Sequence, residues 1–263
     1  MKFGTCSDHL LTYCHLTTKA FGWLRVMCGL ESIPGEGGSW TGLHLLLPKK
    51  AKVYHVGVHP SARDVPFINS LRATGAEVVS IETYTHSEDI LTRSEIGALI
   101  SSAHVFSPNE KEAMSLVGPG TAVEVIKRIV ELGGEVVCLR RGPDGCIVHR
   151  ADSGETWEIP AFHTIKVLAN KHTNSTEHDK SDDPFFDRPI VDPTGCGNTF
   201  CGGFAVGWWQ TRNLLTAGLW GTIAASLMIE HEGVPPPPIQ KWRSELQARL
   251  RFLQPFARRV DLD

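Results

Sequence analysis

A doubly wound α/β fold, mostly parallel and three layers thick, is predicted by three observations. Short apolar, β-branched runs recur from residue 52 onward, each followed by a helical pattern; this rhythm means right-handed crossovers and a parallel sheet covered on both faces. Late in the chain a Gly-rich turn, Gly195-Cys196-Gly197, links a short apolar run to an apolar helix. Length and composition, 263 residues of which 41% are hydrophobic, suit a soluble globular protein with a substantial core.

In chain order, residues 1–50 form a segment without readable periodicity, and the Gly- and Pro-rich residues 34–42 within it read as a loop. Residues 53–58 (VYHVGV) read as a buried strand ended by His59-Pro60. Asp64 is placed to cap a helix that carries Val65, Ile68 and Leu71 and closes at Gly75. Strands are expected at 77–81, 103–106 and 135–139, and helices at 87–100, 109–117 and 122–132. Two short strands, 146–149 and 156–159, read as a hairpin across a polar turn. Residues 169–188 are polar and charged, with almost nothing to bury, and read as a surface insertion. Helices follow at 199–210 and 214–229; residues 235–238 form a proline connector, and 240–253 an amphipathic helix with Trp242, Leu246 and Leu250 on one face. Residues 51–263 are read as one domain.

Charge and cysteine usage exclude several classes. A formal net charge of −3 gives no field for a nucleic acid or an anionic membrane. Seven cysteines without a Cys-x-x-Cys pair argue against a disulfide framework and a zinc knuckle, and for a reducing compartment. With no membrane-spanning run and a poor signal peptide, the cytosol is the expected location.

Three segments fall where strands end, the place such sheets bind ligands. In Ser107-Pro108-Asn109-Glu110-Lys111-Glu112, Asn109 and Glu112 share one face of a first helical turn. An amide oxygen and a carboxylate suit Mg2+ through its waters; alternatively Asn109 simply caps the N–H of Glu112. In Arg140-Arg141-Gly142-Pro143-Asp144-Gly145 a buried strand empties into a Gly-rich turn. The arginines suit phosphate and the glycines let a nucleotide lie on backbone, or the segment is a plain hairpin turn with exposed arginines. The third runs from Asp192 to Asn198 and opens a helix from about Asn198, whose free N–H groups and dipole favour an anion. Its plainer alternative is a turn packed tightly through Gly202-Gly203.

Taken together, FSPNEKEAMSLVG, VVCLRRGPDGCIVH, DPTGCGNTFCGGFAVGWW and AASLMIEHEGV resemble, in order and spacing, the C-terminal half of the ribokinase-like (pfkB) carbohydrate kinase family. The resemblance covers roughly residues 52–240. It implies a three-layer ribokinase-like fold with ATP and Mg2+ as cofactors and a monovalent cation such as K+ as a further one. It assigns Gly195, Cys196 and Gly197 to an anion hole around the transferring phosphoryl group, and Arg140 and Gly142 to the nucleotide phosphates. Gly145 would shape the turn, Asn109 and Glu112 would hold Mg2+ through water, and Asp192 would brace the loop near the cation. The implied partner is a small sugar-like substrate, with no nucleic acid and no membrane; a homodimer is compatible with it.

Two departures from the family pattern stand out. The family's general base, an Asp closing Gly-Ala-Gly-Asp, is replaced by Asn198. An amide cannot take a proton at neutral pH but can orient a hydroxyl, and loss of such a base typically slows transfer by about 10²–10⁴. Residues 1–50 show no clear sugar-gripping segment or lid, so the N-terminal part is expected to be divergent or shortened and the lid reduced or absent. Two readings follow: an active kinase in which Asn198 positions the acceptor, or a non-catalytic relative that binds a nucleotide or a partner. A dinucleotide-binding dehydrogenase is disfavoured, since its Gly-rich turn would follow the first strand of the sheet.

Overall fold

The computed structural model describes residues 14–15, 51–58, 64–83, 91–165, 188–233 and 242–262. Most of the N-terminal segment, residues 166–187 of the polar insertion region, and the proline connector lie outside the described residues.

The elements in order are β1 (Cys14–His15), β2 (Val53–Val58), α1 (Val65–Ala73), β3 (Val78–Thr83), α2 (Arg93–Ser101), β4 (Val105–Phe106), α3 (Glu110–Val117), α4 (Ala122–Glu131) and β5 (Val136–Arg140). Then come β6 (Cys146–Arg150), β7 (Glu155–Ile159), α5 (Cys196–Thr211), α6 (Leu214–Met228), α7 (Trp242–Leu253) and β8 (Arg258–Arg259). Among the described residues eight strands join one sheet in chain order, with β1 to β5 parallel and β5 to β8 antiparallel. The expected mixed, mostly parallel α/β architecture is therefore present.

Because the strand order does not reverse, right-handed crossovers place α1 to α4 on one face. The opposite layer is built from the C-terminal helices α5 and α6. Strand alternation divides the core accordingly. Tyr54, Val79, Ile81, Val137 and Leu139 pack toward Ile68, Leu99, Ile126 and Ile129, whereas Val53, Val78, Val105, Val136 and Val148 pack toward Phe200, Phe204, Trp208 and Ile223. Helices α5 and α6 approach closely through glycines: a Cβ on Gly203 would stand 2.8 Å from the Trp220 carbonyl oxygen, and one on Gly207 3.0 Å from the Ala217 Cα. Trp208 is buried between the layers, with Arg150 and Arg212 over its ring at 5.4 and 5.8 Å.

Helix starts follow side-chain chemistry. Reciprocal capping boxes, Thr92 with Glu95, Asn109 with Glu112 and Thr121 with Glu124, open α2, α3 and α4. Asp64 occupies the N-cap of α1 but makes no side-chain cap bond; Pro66 at the second position already removes one donor that needed capping. Helix α2 begins at Arg93 because Thr92 caps it, later than the expected 87. Strand β4 shrinks to Val105–Phe106 because residues 102–104 form the turn leaving α2. The expected apolar strand end at Ile190-Val191 is not a strand. Both side chains are exposed, and the N–H groups of Val191 and Asp192 bond the Ile229 carbonyl after α6 instead.

A part-buried acceptor at His104 gives a pH prediction. Val79 N–H donates to His104 Nδ1 at 2.9 Å, which requires the neutral ring. Burial, then the charges of Arg72 and Arg212, hold this imidazole down at about 4. Its folded pKa lies below its unfolded value, so the unfolded chain binds the extra proton, and the contribution is full above about pH 6.5 and lost as pH falls toward 4. With the ring half exposed to screening solvent, we expect this group to contribute about 1–2 kcal/mol. Urea midpoints at pH 7 and pH 4.5 should fall further for the wild type than for His104→Gln; parallel falls would refute this origin.

Candidate active site

The C-terminal ends of β3, β4 and β5 face the start of α5, and three charged groups meet there. Arg140, the last residue of β5, donates from Nε to the Ser107 carbonyl at 3.0 Å and from Nη2 to Glu82 Oε2 at 2.6 Å and Glu112 Oε2 at 3.2 Å. All three charged side chains are only 12% exposed. An isolated bridge between Asn109 and Arg140 fixes the start of α3 against the end of β5.

Helix α5 starts at Cys196, two residues earlier than the sequence suggested, with Gly195 as its N-cap in the left-handed region (φ 85°, ψ −8°). Glycine adopts that backbone freely, and a Cβ at Gly195 would stand 2.8 Å from Met228 Cε. Gly197 is needed for another reason: a Cβ there would collide with Arg140 Nη1. The first turn of α5 lies with Gly197 beside a guanidinium, although the Cys196 N–H already bonds the Pro193 carbonyl at 3.2 Å. Such a pair of positive features is suited to a phosphate or similar anion.

Electrostatics at the site follow from burial and pairing. Burial opposes the charge on Glu82, but His55 and Arg140 outweigh it and hold the carboxyl below its ordinary value. For Glu112 burial wins and raises it, despite Arg140 and the Asn109 N–H. Burial also disfavours the Arg140 charge, yet Cys201, Glu82 and Glu112 raise its pKa and keep it a cation. Burial and then Asp192 push the Cys196 thiol up to about 11, so its sulfur is neutral at pH 7.

Asn109 and Glu112 come together in their capping role. Asn109 Oδ1 accepts the Glu112 N–H at 2.9 Å, and the Glu112 carboxylate accepts Asn109 N–H at 2.8 Å and the Asn109 amide. Both carboxylate oxygens of Glu112 already have donors. The residues therefore fit Mg2+ through its water shell rather than by direct coordination.

Gly142 (φ 57°) has open space around its Cα, whereas Gly145 (φ 87°) is pressed against the Ile159 carbonyl and the Pro160 backbone, shaping the turn. Arg141 points away from Arg140's cluster, to Glu110 at 3.2 Å and Glu158 at 2.9 Å. Asp192 belongs to the loop before α5, where its Oδ1 accepts the Thr194 N–H at 2.8 Å, which lowers its pKa. Sequence reasoning missed Glu82, Ser107, His55 and Cys201. For Glu82 a signal existed, a carboxylate near the C-terminal end of a parallel strand; the other three had none.

No protein-family model matches the chain. In architecture it is similar to solved kinases: ribokinase from Arabidopsis thaliana in complex with ribose and ATP (TM-score 0.53, 17% identity, 78% of this chain and 57% of that one) and a probable sugar kinase from Rhizobium etli (TM-score 0.53, 19% identity, 77% and 55%). This is the ribokinase fold. In sequence it is 27% identical over 164 residues to a cytidine kinase from Thermococcus kodakarensis, covering 62% of this chain and 50% of that protein. The chain spans half or less of the length of the curated relatives it matches. No helix among the described residues is long and apolar enough to cross a membrane.

Proposed function

We propose that this protein is a phosphotransferase of the pfkB type that moves a phosphoryl group from ATP to a hydroxyl of a sugar or nucleoside. One observation carries the reading: the glycine-opened N-terminus of α5 lies against the Arg140 guanidinium, at the C-terminal end of the parallel strands. Phosphoryl transfer demands chiefly positioning and charge stabilisation, which backbone amides and a fixed cation supply. Gly195 to Gly197 hold the phosphoryl oxygens, and Arg140 with Gly142 faces the nucleotide. When bound, Mg2+ supplies charge neutralisation through waters held by Asn109 and Glu112, and a K+ near Asp192 would steady the loop before α5. Asn198, at the third position of the helix, orients the acceptor hydroxyl through its amide oxygen, and water or the departing phosphate oxygens take the proton.

A binding protein without transfer is the second reading, favoured by one specific fact. Arg140 is already engaged by two carboxylates and a carbonyl, so its charge is largely neutralised locally. ATP-dependent transfer over a panel of sugars and nucleosides separates the two. Wild type should phosphorylate one class, and Gly197→Val should abolish this by pushing Arg140 off the helix end. Asn198→Asp should raise the rate by about 10²–10⁴ if the missing base limits it. Silence of both wild type and Asn198→Asp, with ATP still bound, would overturn transfer in favour of binding. Absence of ATP binding would overturn the nucleotide site itself.

A further inference from the structure

His55 from β2, Glu82 from β3 and Cys201 from the second turn of α5 converge between the sheet and that helix. Their donor atoms all lie within 4.8 Å of one another. His55 Nε2 stands 3.6 Å from Glu82 Oε1, and Cys201 Sγ stands 3.9 Å from Glu82 Oε2. Donors around a tetrahedral Zn2+, with bonds of about 2.0–2.3 Å, are separated by about 3.3–3.8 Å, so side-chain shifts of at most about 1 Å close a site.

We propose that His55, Glu82 and Cys201 form a binding site for a thiophilic divalent cation of the Zn2+ type, clamping the start of α5 to the sheet. Three features support it beyond proximity. His55 is 2% exposed, and its Nε2 is buried without a hydrogen-bond partner, a situation native interiors avoid. A proton on Nε2 would not resolve this, because 3.6 Å to Glu82 is too long for the bond it would make. The His55 ring is also oriented as ligand imidazoles are, with Nδ1 at 3.1 Å from Ser80 Oγ. Burial opposes its charge, but Cys201 and Glu82 raise its pKa to about 10, so a cation takes the Nε2 position by displacing a proton while Nδ1–H faces Ser80. Glu82 is braced by Arg140 and Cys201 by Ser107 Oγ at 3.3 Å, the outer contacts that hold metal ligands in place.

The donor set selects the ion class. One thiolate, one imidazole and one carboxylate suit Zn2+ or Co2+ and discriminate against Mg2+ and Ca2+, which take oxygen. Charge also balances: the ion's two positive charges and that of Arg140 meet the carboxylates of Glu82 and Glu112 and the Cys201 thiolate. The thiol proton leaves to solvent on binding. This site is distinct from the Mg2+ position, being made of other side chains one helical turn deeper.

The test uses the full chain, refolded with Co2+ or Zn2+ and freed of loose metal by gel filtration. Wild type should retain one equivalent of Zn2+, and the Co2+ form should show a near-ultraviolet thiolate-to-cobalt charge-transfer band with tetrahedral visible bands. Cys201→Ser should lose the ultraviolet band, Cys196→Ser should keep it, and His55→Asn should weaken Zn2+ retention at least tenfold. Should Cys201→Ser fail to fold, His55→Asn and Glu82→Gln decide the matter by Zn2+ stoichiometry. No retained metal in wild type, or a band unchanged in Cys201→Ser or stoichiometry unchanged in His55→Asn, would overturn the proposal. None of these readouts depends on ATP or an acceptor, so failure here is separate from failure of the kinase reading.

Discussion

Replacing Arg249 with alanine should lower folding stability by about 3–5 kcal/mol, because it strands two buried carboxylates. Arg249 in α7 is fully buried; it donates from Nη2 to Glu230 Oε2 at 2.7 Å and to Glu245 Oε1, and from Nη1 to Ser226 Oγ at 2.8 Å. Its guanidinium also lies 4.8 Å from the centre of the Phe162 ring. His163 and Arg188 complete the network at Glu230 and Glu245, at 2.9 and 3.0 Å. The net value of such a cluster relative to apolar residues is small, but breaking it on one side is not. Urea unfolding of Arg249→Ala should show the full loss, while Arg249→Met combined with Glu230→Gln and Glu245→Gln should recover much of it. A loss below about 1 kcal/mol for the single variant would refute the argument.

Gly145→Ala should be the most damaging single methyl in the site region, whereas the same change at Gly142 should be mild. Both glycines have positive φ, 87° and 57°. At Gly145, ψ is −129°, a combination that L side chains avoid, and the new Cβ would be driven into the Ile159 carbonyl and the Pro160 backbone. Neither can yield without breaking the β6–β7 register, where Cys146 pairs Ile159. Conformational strain and overpacking together give about 2–5 kcal/mol. At Gly142 nothing lies within 4 Å of the new atom, leaving only the left-handed penalty of about 1–2 kcal/mol. Thermal unfolding of the two variants measures the contrast directly; equal losses would mean the turn adapts at Gly145.

Much of this fold could be read from the chain because the informative signals are local. Continuous apolar runs at residues 53–58 and 136–139, buried throughout, and caps at Asn109 and Thr121, operate over a few residues, so pattern and structure agree. The glycine turn at 195–197 was legible for the same reason, since backbone conformation is a local demand. Partnerships across the sheet were not. Glu82 becomes part of the site only through Arg140, 58 residues away, and Cys201 reaches Ser107 from 94 residues away. Leu246 and Leu250 of the amphipathic last helix do face the core, but Arg249 and Glu245 on the same helix are buried as well. Nothing in their charge announced that they meet Glu230 away from water.

The unreversed strand order has a consequence for how the chain is made. Strands β2 to β5 and their crossover helices can assemble as they leave the ribosome, each new unit docking beside the last. Until residues 196–228 emerge, however, Val53, Val78, Val105, Val136 and Val148 line a sheet face with no cover. A ribosome-stalled chain ending near residue 165 should therefore be a strong chaperone client, carrying half of the phosphate site on a sticky surface. The same last helices complete both the core and the anion cradle, so biogenesis and competence for nucleotide are reached in a single late step.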